Sequence, residues 1–394
     1  MQGNSRTPAR SSQPLLHPSI QESTFFPRLG SIDRSPAYLP SVQSHRGRQS
    51  IRAQSAEQAA VPQPAPPAKS FHWTDITRNA SQYMPQAIVI STALGLFYPP
   101  SFTWFTNKYY PSALGFLMFA VGINLSLDDF KHAFQRPAVL ALGYFGQFVL
   151  KPLFGYALAH SLVPLLGLPD AIGSGLILVA CVSGAQLSNY ASFLVDKQMA
   201  PLSIVMTALS TASAALITPT LTHAMLGQRL PVDVKGMMIS ILQCVVAPVA
   251  AGLALNRFAR SVTSAIRPVL PLLSLLDTCC CIGSPLALNA GALRSPFGLV
   301  ILLPVLAFHT VAFIGGYYSA VGAFPRIEDR RNVARTMSFE VGMQSSLLAL
   351  ALANRFFPNP LVALPCAISV IAMSLMGFGL VVVWTHPRKH TNSH

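Results

Sequence analysis

The chain has 394 residues, 52% of them hydrophobic and only 10% charged, whereas a soluble domain carries about 25% charged residues. That balance excludes an ordinary water-soluble enzyme and fits a chain dissolved mostly in lipid. The net charge of +14 could point to nucleic acid, but eight of the 27 Lys and Arg fall in the first 70 residues and most others lie in short loops between apolar segments, so no basic face for nucleic acid is expected.

Residues 1–70 hold twelve serines, eight basic residues and only three acids, Glu22, Asp33 and Glu57. A Ser- and Arg-rich, acid-poor start is the composition of an organelle transit peptide. Pro8, Pro14, Pro18, Pro27, Pro36 and Pro40 would break a long amphipathic helix, which favours a plastid over a mitochondrial address. Ser50 to Ala53 is a candidate cleavage neighbourhood, and Pro62 to Ala68 reads as a Pro/Ala linker. Residues 1–68 are therefore expected to be transit peptide and linker, and residues 69–394 a transmembrane domain in the plastid inner envelope, with the mitochondrial inner membrane as the alternative.

From residue 84 onward apolar segments alternate with short polar loops. The pattern predicts an all-α polytopic membrane protein with ten spans, at 84–99, 109–127, 137–163, 170–194, 200–225, 233–256, 266–290, 296–321, 330–354 and 360–384, most near the ~20 residues that cross a bilayer. The connections after even-numbered spans, with the C-terminal tail, hold twelve basic residues: Lys131, Arg136, Lys197, Arg257, Arg260, Arg267, Arg326, Arg330, Arg331, Arg335, Arg388 and Lys389. The opposite connections hold five, Lys108, Arg229, Lys235, Arg294 and Arg355. Basic loops stay on the side of synthesis or import, so both termini are expected to face the organelle interior. Ten spans divide into repeats of five, 84–225 and 233–384, and an odd number inverts the second repeat, a common construction in alternating-access transporters.

In such repeats the site lies at matching interruptions. Span four contains Ser183-Gly184-Ala185-Gln186-Leu187-Ser188-Asn189, and span nine contains Glu340-Val341-Gly342-Met343-Gln344-Ser345-Ser346. Both place Gly, amide and hydroxyl groups within an apolar run, and unwound backbone at that depth is tolerated where it lines a cavity. Glu340 is the leading candidate, because a mid-span carboxylate costs roughly 2.5–3.5 kcal/mol on insertion scales unless compensated. A sodium ion held by carboxylate, amide, hydroxyl and main-chain oxygens would compensate it; a protonated, proton-coupling Glu340 is the alternative. Gln147 in span three is a second intramembrane amide. Ser203 and Thr207 lie four apart, on one helix face. Asp277 is a proton or cation group, or serves locally by capping or by bonding to Thr278. His309 reads as a packed histidine. Lys151, one turn after Gln147, could attract an anionic substrate, occupy cation space itself or snorkel to the interface. Cys279, Cys280 and Cys281 point in directions about 100° apart on a helix and do not share a metal, and no transition-metal site is expected.

These residues resemble the bile acid:sodium symporter family, in particular its plastid sodium/metabolite cotransporter branch, over residues 84–384. The specific motifs are Leu187-Ser188-Asn189 followed by Leu202 to Thr211, and Ser338-Phe339-Glu340-Val341-Gly342-Met343-Gln344. The resemblance implies ten helices in two inverted five-helix repeats, divided into panel and core, with unwound helices four and nine crossing. It implies a first sodium site of Ser188, Asn189, Ser203, Thr207 and Glu340. The implied second site is Gln147, Glu340, Val341 and Met343 through main-chain oxygen, and Gln344. Ser345 replaces an Asn frequent in bacterial members, and Ala372 and Met373 stand where a ligand-contacting His-Asn pair often lies. A carboxylate smaller than a bile acid is therefore expected, such as a 2-keto acid, glycolate or pantoate, with Ser345, Lys151, Gln186 and Asn189 as substrate-contacting candidates.

The expected function is sodium-coupled symport of a small organic anion across a lipid bilayer, with Na+ as coupling ion. The alternatives are a proton-coupled transporter and a non-transporting sensor on the same fold. No G-x-S-x-G, no H-E-x-x-H and no paired intramembrane aspartates argue for a membrane hydrolase.

Overall fold

The computed structural model describes residues 83–385, apart from 126, 127, 129, 130, 132 and 228–231. The transit peptide and linker expected over 1–68, with the cleavage neighbourhood at 50–53, lie outside the described residues, as do Arg229, Arg388 and Lys389. Among the described residues the chain is helical throughout, with no β-strand.

The helices are α1 (Met84–Phe97), α2 (Tyr110–Asn124), α3 (Pro137–Leu165), α4 (Asp170–Cys181), α5 (Gln186–Val195), α6 (Ala200–Leu226), α7 (Val234–Phe258), α8 (Arg260–Ile266), α9 (Leu270–Leu288), α10 (Pro296–Ala323), α11 (Arg330–Gly342), α12 (Ser346–Phe356) and α13 (Ala363–Thr385). Six helical stretches of the described residues, α3, α6, α7, α9, α10 and α13, are long and apolar enough to cross a membrane, while α1, α2, α4 and α12 are shorter and apolar. The seventh apolar segment is shorter than expected, because its start at residue 266 belongs to the separate short helix α8.

Prolines set many of these starts. Pro85, Pro111, Pro137, Pro201, Pro271 and Pro296 each occupy the first or second helical position, where the missing N–H has no intrahelical acceptor to lose. Two prolines shape interiors instead. Pro152 and Pro248 each follow, by two residues, a widened π-turn at Gly146–Leu150 in α3 and Leu242–Val246 in α7. Proline donates no hydrogen bond to the carbonyl four residues back, and the preceding turn loosens.

Packing separates two groups. In one, α1 lies along α9 and α2 along α7. Both pairs meet through glycine: a Cβ on Gly95 would stand 2.7 Å from the Gly283 carbonyl oxygen, and one on Gly122 would stand 3.0 Å from the Gly252 Cα. Backbones this close gain dispersion contacts that lipid cannot supply. In the other group, α3 packs on α4 and α10 on α11, while α13 lies against α4, α5 and α10. The interrupted helices are the most enclosed, with Ile172 to Cys181 and Ser338 to Gly342 continuously buried.

Even-numbered connections gather at one end. Arg136 pairs with Asp329, and Asn332 donates to Asp196 at 2.5 Å. At the other end Arg355, closing α12, donates to Ser240 near the start of α7 at 3.2 Å.

Candidate functional site

The two interruptions cross. Chain 182–185 separates α4 from α5, and chain 343–345 separates α11 from α12. Gly184 and Gln344 form an antiparallel bridge, the Ala185 amide donates to the Met343 carbonyl at 3.1 Å, and the Ser345 amide donates to the Ser183 carbonyl at 2.9 Å. Each break thus satisfies main-chain groups of the other, as buried backbone requires. A Cβ at Gly184 would stand 2.7 Å from Gln147 Nε2 and push that side chain from its place.

Glu340, fully buried, points from the end of α11 toward α5 and α6. Its Oε1 accepts from Ser188 at 2.7 Å and from Ser203. Thr207 Oγ1 lies 3.1 Å from Oε2. Asn189 Oδ1 stands 2.9 Å from both Ser203 Oγ and Thr207 Oγ1, and Ser188 Oγ is also 2.7 Å from the Ala185 carbonyl. With the Asn189 amide oxygen turned toward them, Ser203 and Thr207 each meet both Glu340 and Asn189 with a single proton. The result is a buried, oxygen-rich cluster built on three helices. All five residues expected from sequence for the first site come together here.

Of the residues expected for the second site, Val341, Met343 and Gln344 bond one another or Ala185 at the crossing, and Gln147 joins the Glu340 carbonyl to Lys151. This side chain is fully buried, so it does not snorkel to the interface. Its Nζ donates to Gln147 Oε1 at 2.7 Å and to the Val182 carbonyl. Gln147 Nε2 in turn donates to the Glu340 carbonyl, Gln344 Nε2 donates to the Val341 carbonyl at 2.7 Å, and the Met343 carbonyl receives the Ala185 amide. Gln344 Oε1 is buried with no partner.

Behind the crossing, His309 joins Gly342 to α13. Its Nδ1 is 2.8 Å from the Gly342 carbonyl and its Nε2 is 2.8 Å from Ser369 Oγ, which lies 2.6 Å from Ser346 Oγ. Both ring nitrogens are engaged, as for a packed structural histidine.

A cavity of about 90 Å³ lies on the other side of the crossing, between the two helix groups. Leu117 and Met118 of α2 and Ser274 and Thr278 of α9 form one wall; Gln186, Tyr190, Gln344, Ser345 and Met373 form the other. Of the substrate candidates, Gln186 and Ser345 line it, whereas Lys151 and Asn189 do not. Met373 lines it too and accepts from the Gln344 amide at 3.2 Å through sulfur; Ala372 packs in the apolar core instead. A second cavity, about 340 Å³, opens toward the Arg355 end and is lined by Lys108, Tyr110, Ser240 and Arg355, sharing Leu114 with the first.

The model of the sodium bile acid symporter family matches residues 111–296. The chain is 59% identical over 314 residues to a probable sodium/metabolite cotransporter BASS5, chloroplastic, of Oryza sativa subsp. japonica, covering 80% of this chain and 78% of that one. It is 56% identical over 317 residues to a probable sodium/metabolite cotransporter BASS6, chloroplastic, of Arabidopsis thaliana, covering 80% and 78%. A probable BASS3 of the same plant is 40% identical over 317 residues, covering 79% and 72%.

The chain belongs to the bile acid:sodium symporter family, within its plastid sodium/metabolite cotransporter branch.

Family membership makes it a membrane transporter rather than an enzyme. Among the described residues no group of His, Cys, Asp and Glu is placed to hold a metal, and Cys279, Cys280 and Cys281 are free thiols. Asp277 Oδ2 is buried with no hydrogen-bond partner. Sequence reasoning missed Val182, whose contribution is a main-chain oxygen, and Tyr190, Ser274 and Thr278, which look like ordinary helix-packing residues until the cavity unites them.

Proposed function

We propose that this chain is a sodium-coupled symporter of a small organic anion, working by alternating access in the plastid inner envelope. The observation behind this reading is the Glu340 cluster. A buried carboxylate surrounded by Ser188, Asn189, Ser203 and Thr207 oxygens is what a hard cation wants and what an uncompensated charge could not survive. Those five residues would hold one Na+, which supplies positive charge at the crossing when bound. The chloroplastic relatives named sodium/metabolite cotransporters favour sodium over a proton as the cation.

The cavity suits the other substrate. It lies beside the Glu340 cluster and carries Gln186, Tyr190, Gln344 and Ser345 as polar groups on an otherwise apolar wall, a lining suited to a small organic anion such as a 2-keto acid, glycolate or pantoate. The N-termini of α5 and α12 border it, and no side chain caps either one. Their positive dipole ends favour a carboxylate. Lys108 and Arg355 in the neighbouring vestibule would draw anions toward it.

An arrangement of ten crossing segments in two inverted five-helix repeats is supported by the packing. Exchanging the first segment with the sixth and the second with the seventh turns the α1–α9 pair into the α7–α2 pair, and both close on glycine. The same exchange turns α3–α4 into α10–α11, and it relates the two crossing breaks. The α1, α2, α7, α9 group would be the panel and the remainder the core, with the cavity between them opening to alternate sides. The plastid address rests on the chloroplastic relatives and on the composition of residues 1–70.

Uptake of labelled small carboxylates into liposomes holding residues 69–394, under an inward sodium gradient against a potassium control, tests this reading. Accumulation with sodium alone supports it. Equal uptake in both, driven instead by a pH gradient, replaces it with proton coupling.

A further inference from the structure

We propose that the Lys151 ammonium is a tethered cation standing where a second sodium ion would bind, so that a single sodium accompanies each substrate; this rests on the sodium reading of the Glu340 cluster. Lys151 is fully buried, and its Nζ is held by neutral oxygens, Gln147 Oε1 and the Val182 carbonyl. These are oxygen types that a metal cation takes from unwound backbone and amides. Val182 also closes α4, so the ammonium sits at the negative end of that helix.

Of the oxygens expected to coordinate a second ion, Gln147 Oε1 is the one the ammonium has taken. The Glu340, Val341 and Met343 carbonyls each accept one hydrogen bond, from Gln147 Nε2, Gln344 Nε2 and the Ala185 amide, and Gln344 Oε1 is buried without a partner. A sodium ion drawn to this set through Gln147 Oε1 would lie against the Lys151 ammonium, a like-charge contact that low-dielectric surroundings penalise heavily. The other roles for Lys151 fail on position. Burial excludes snorkelling, and the side chain does not line the cavity, so it does not meet the anion. The tethered charge travels with the protein in both directions and adds nothing to the charge moved per cycle. A monoanion carried with one sodium is then electroneutral.

The test is equilibrium binding of radioactive sodium to the purified protein, comparing wild type with Lys151→Ala, Thr207→Val and Lys151→Ala/Gln147→Leu. The expected result is about one ion per wild-type chain, bound roughly tenfold or more weakly in Thr207→Val, and about two in Lys151→Ala, falling back to one when Gln147 is also replaced. About two ions per wild-type chain overturn the inference, and this measurement needs no variant to fold. It is overturned equally by a single wild-type ion whose affinity is unchanged in Thr207→Val, or by Lys151→Ala that folds and still binds one. No ion in the wild type but one in Lys151→Ala, lost with Gln147, keeps the tethered cation and removes the sodium reading of the Glu340 cluster.

Discussion

Gly184 and Gln344 meet main chain to main chain in an antiparallel bridge, each at the break of a different helix. That pairing lets two helices stop inside the protein without orphaning their backbone groups, and it sets Glu340 on one side of the crossing and the cavity on the other. The Glu340 cluster and the cavity therefore share one piece of chain, which under the proposed function would couple them.

We predict that Glu340→Gln inserts and folds but loses sodium-driven uptake. The carboxamide keeps the volume and removes the charge. Bound sodium at a hundredfold excess over its dissociation constant would stabilise the protein by about 2.7 kcal/mol, so the variant should also lose the sodium-dependent rise in unfolding temperature. Normal sodium-driven flux in this variant would falsify the proposed role.

Thr207→Val is nearly isosteric and removes one oxygen near both Glu340 and Asn189. The loss of one polar partner at a charged site, about 1.5–3 kcal/mol, predicts a rise of roughly tenfold to a hundredfold in the sodium concentration for half-maximal uptake. Unchanged sodium dependence in a titrated uptake assay would place the ion elsewhere.

Ser369→Ala should act on stability first. It removes the partner of His309 Nε2 and of Ser346 Oγ, leaving buried polar groups at a cost of about 1–3 kcal/mol. Thermal unfolding in detergent should show a lower midpoint with sodium affinity retained.

Arg355→Gln should raise the substrate KM while leaving the sodium dependence alone, because Arg355 lines the vestibule and does not touch the Glu340 cluster. The difference from wild type should shrink as ionic strength rises, since salt screens exposed charges over about 10 Å at 0.1 M. A KM difference independent of salt would contradict electrostatic attraction.

Gly252→Leu tests the helix contact. A side chain there would enter the α2 backbone around Gly122 and Ile123, and overpacking of this kind costs about 1–3 kcal/mol. Reduced yield of folded protein from membranes is expected; a fully stable variant would show that α2 and α7 separate without loss.

Much of this protein was legible in its amino-acid order. Lipid admits only helices or closed barrels, so apolar runs mark helices directly, and polar residues inside them stand out: Gln147, Lys151, Ser203, Thr207, His309 and Glu340 were all visible. The two interruptions announced themselves because Gly and amides are conspicuous within an apolar run. Tertiary structure alone decided who touches whom. Ser188 and Glu340 are 152 positions apart, and no periodicity predicts that they bond. Main-chain oxygens leave no trace in sequence, so Val182 could not be read as a partner of Lys151. The three readings of Lys151 were equally consistent with its place in the chain. Burial removed the snorkelling reading, because the cost of a charge in lipid depends on what surrounds it, and the surroundings come from other helices.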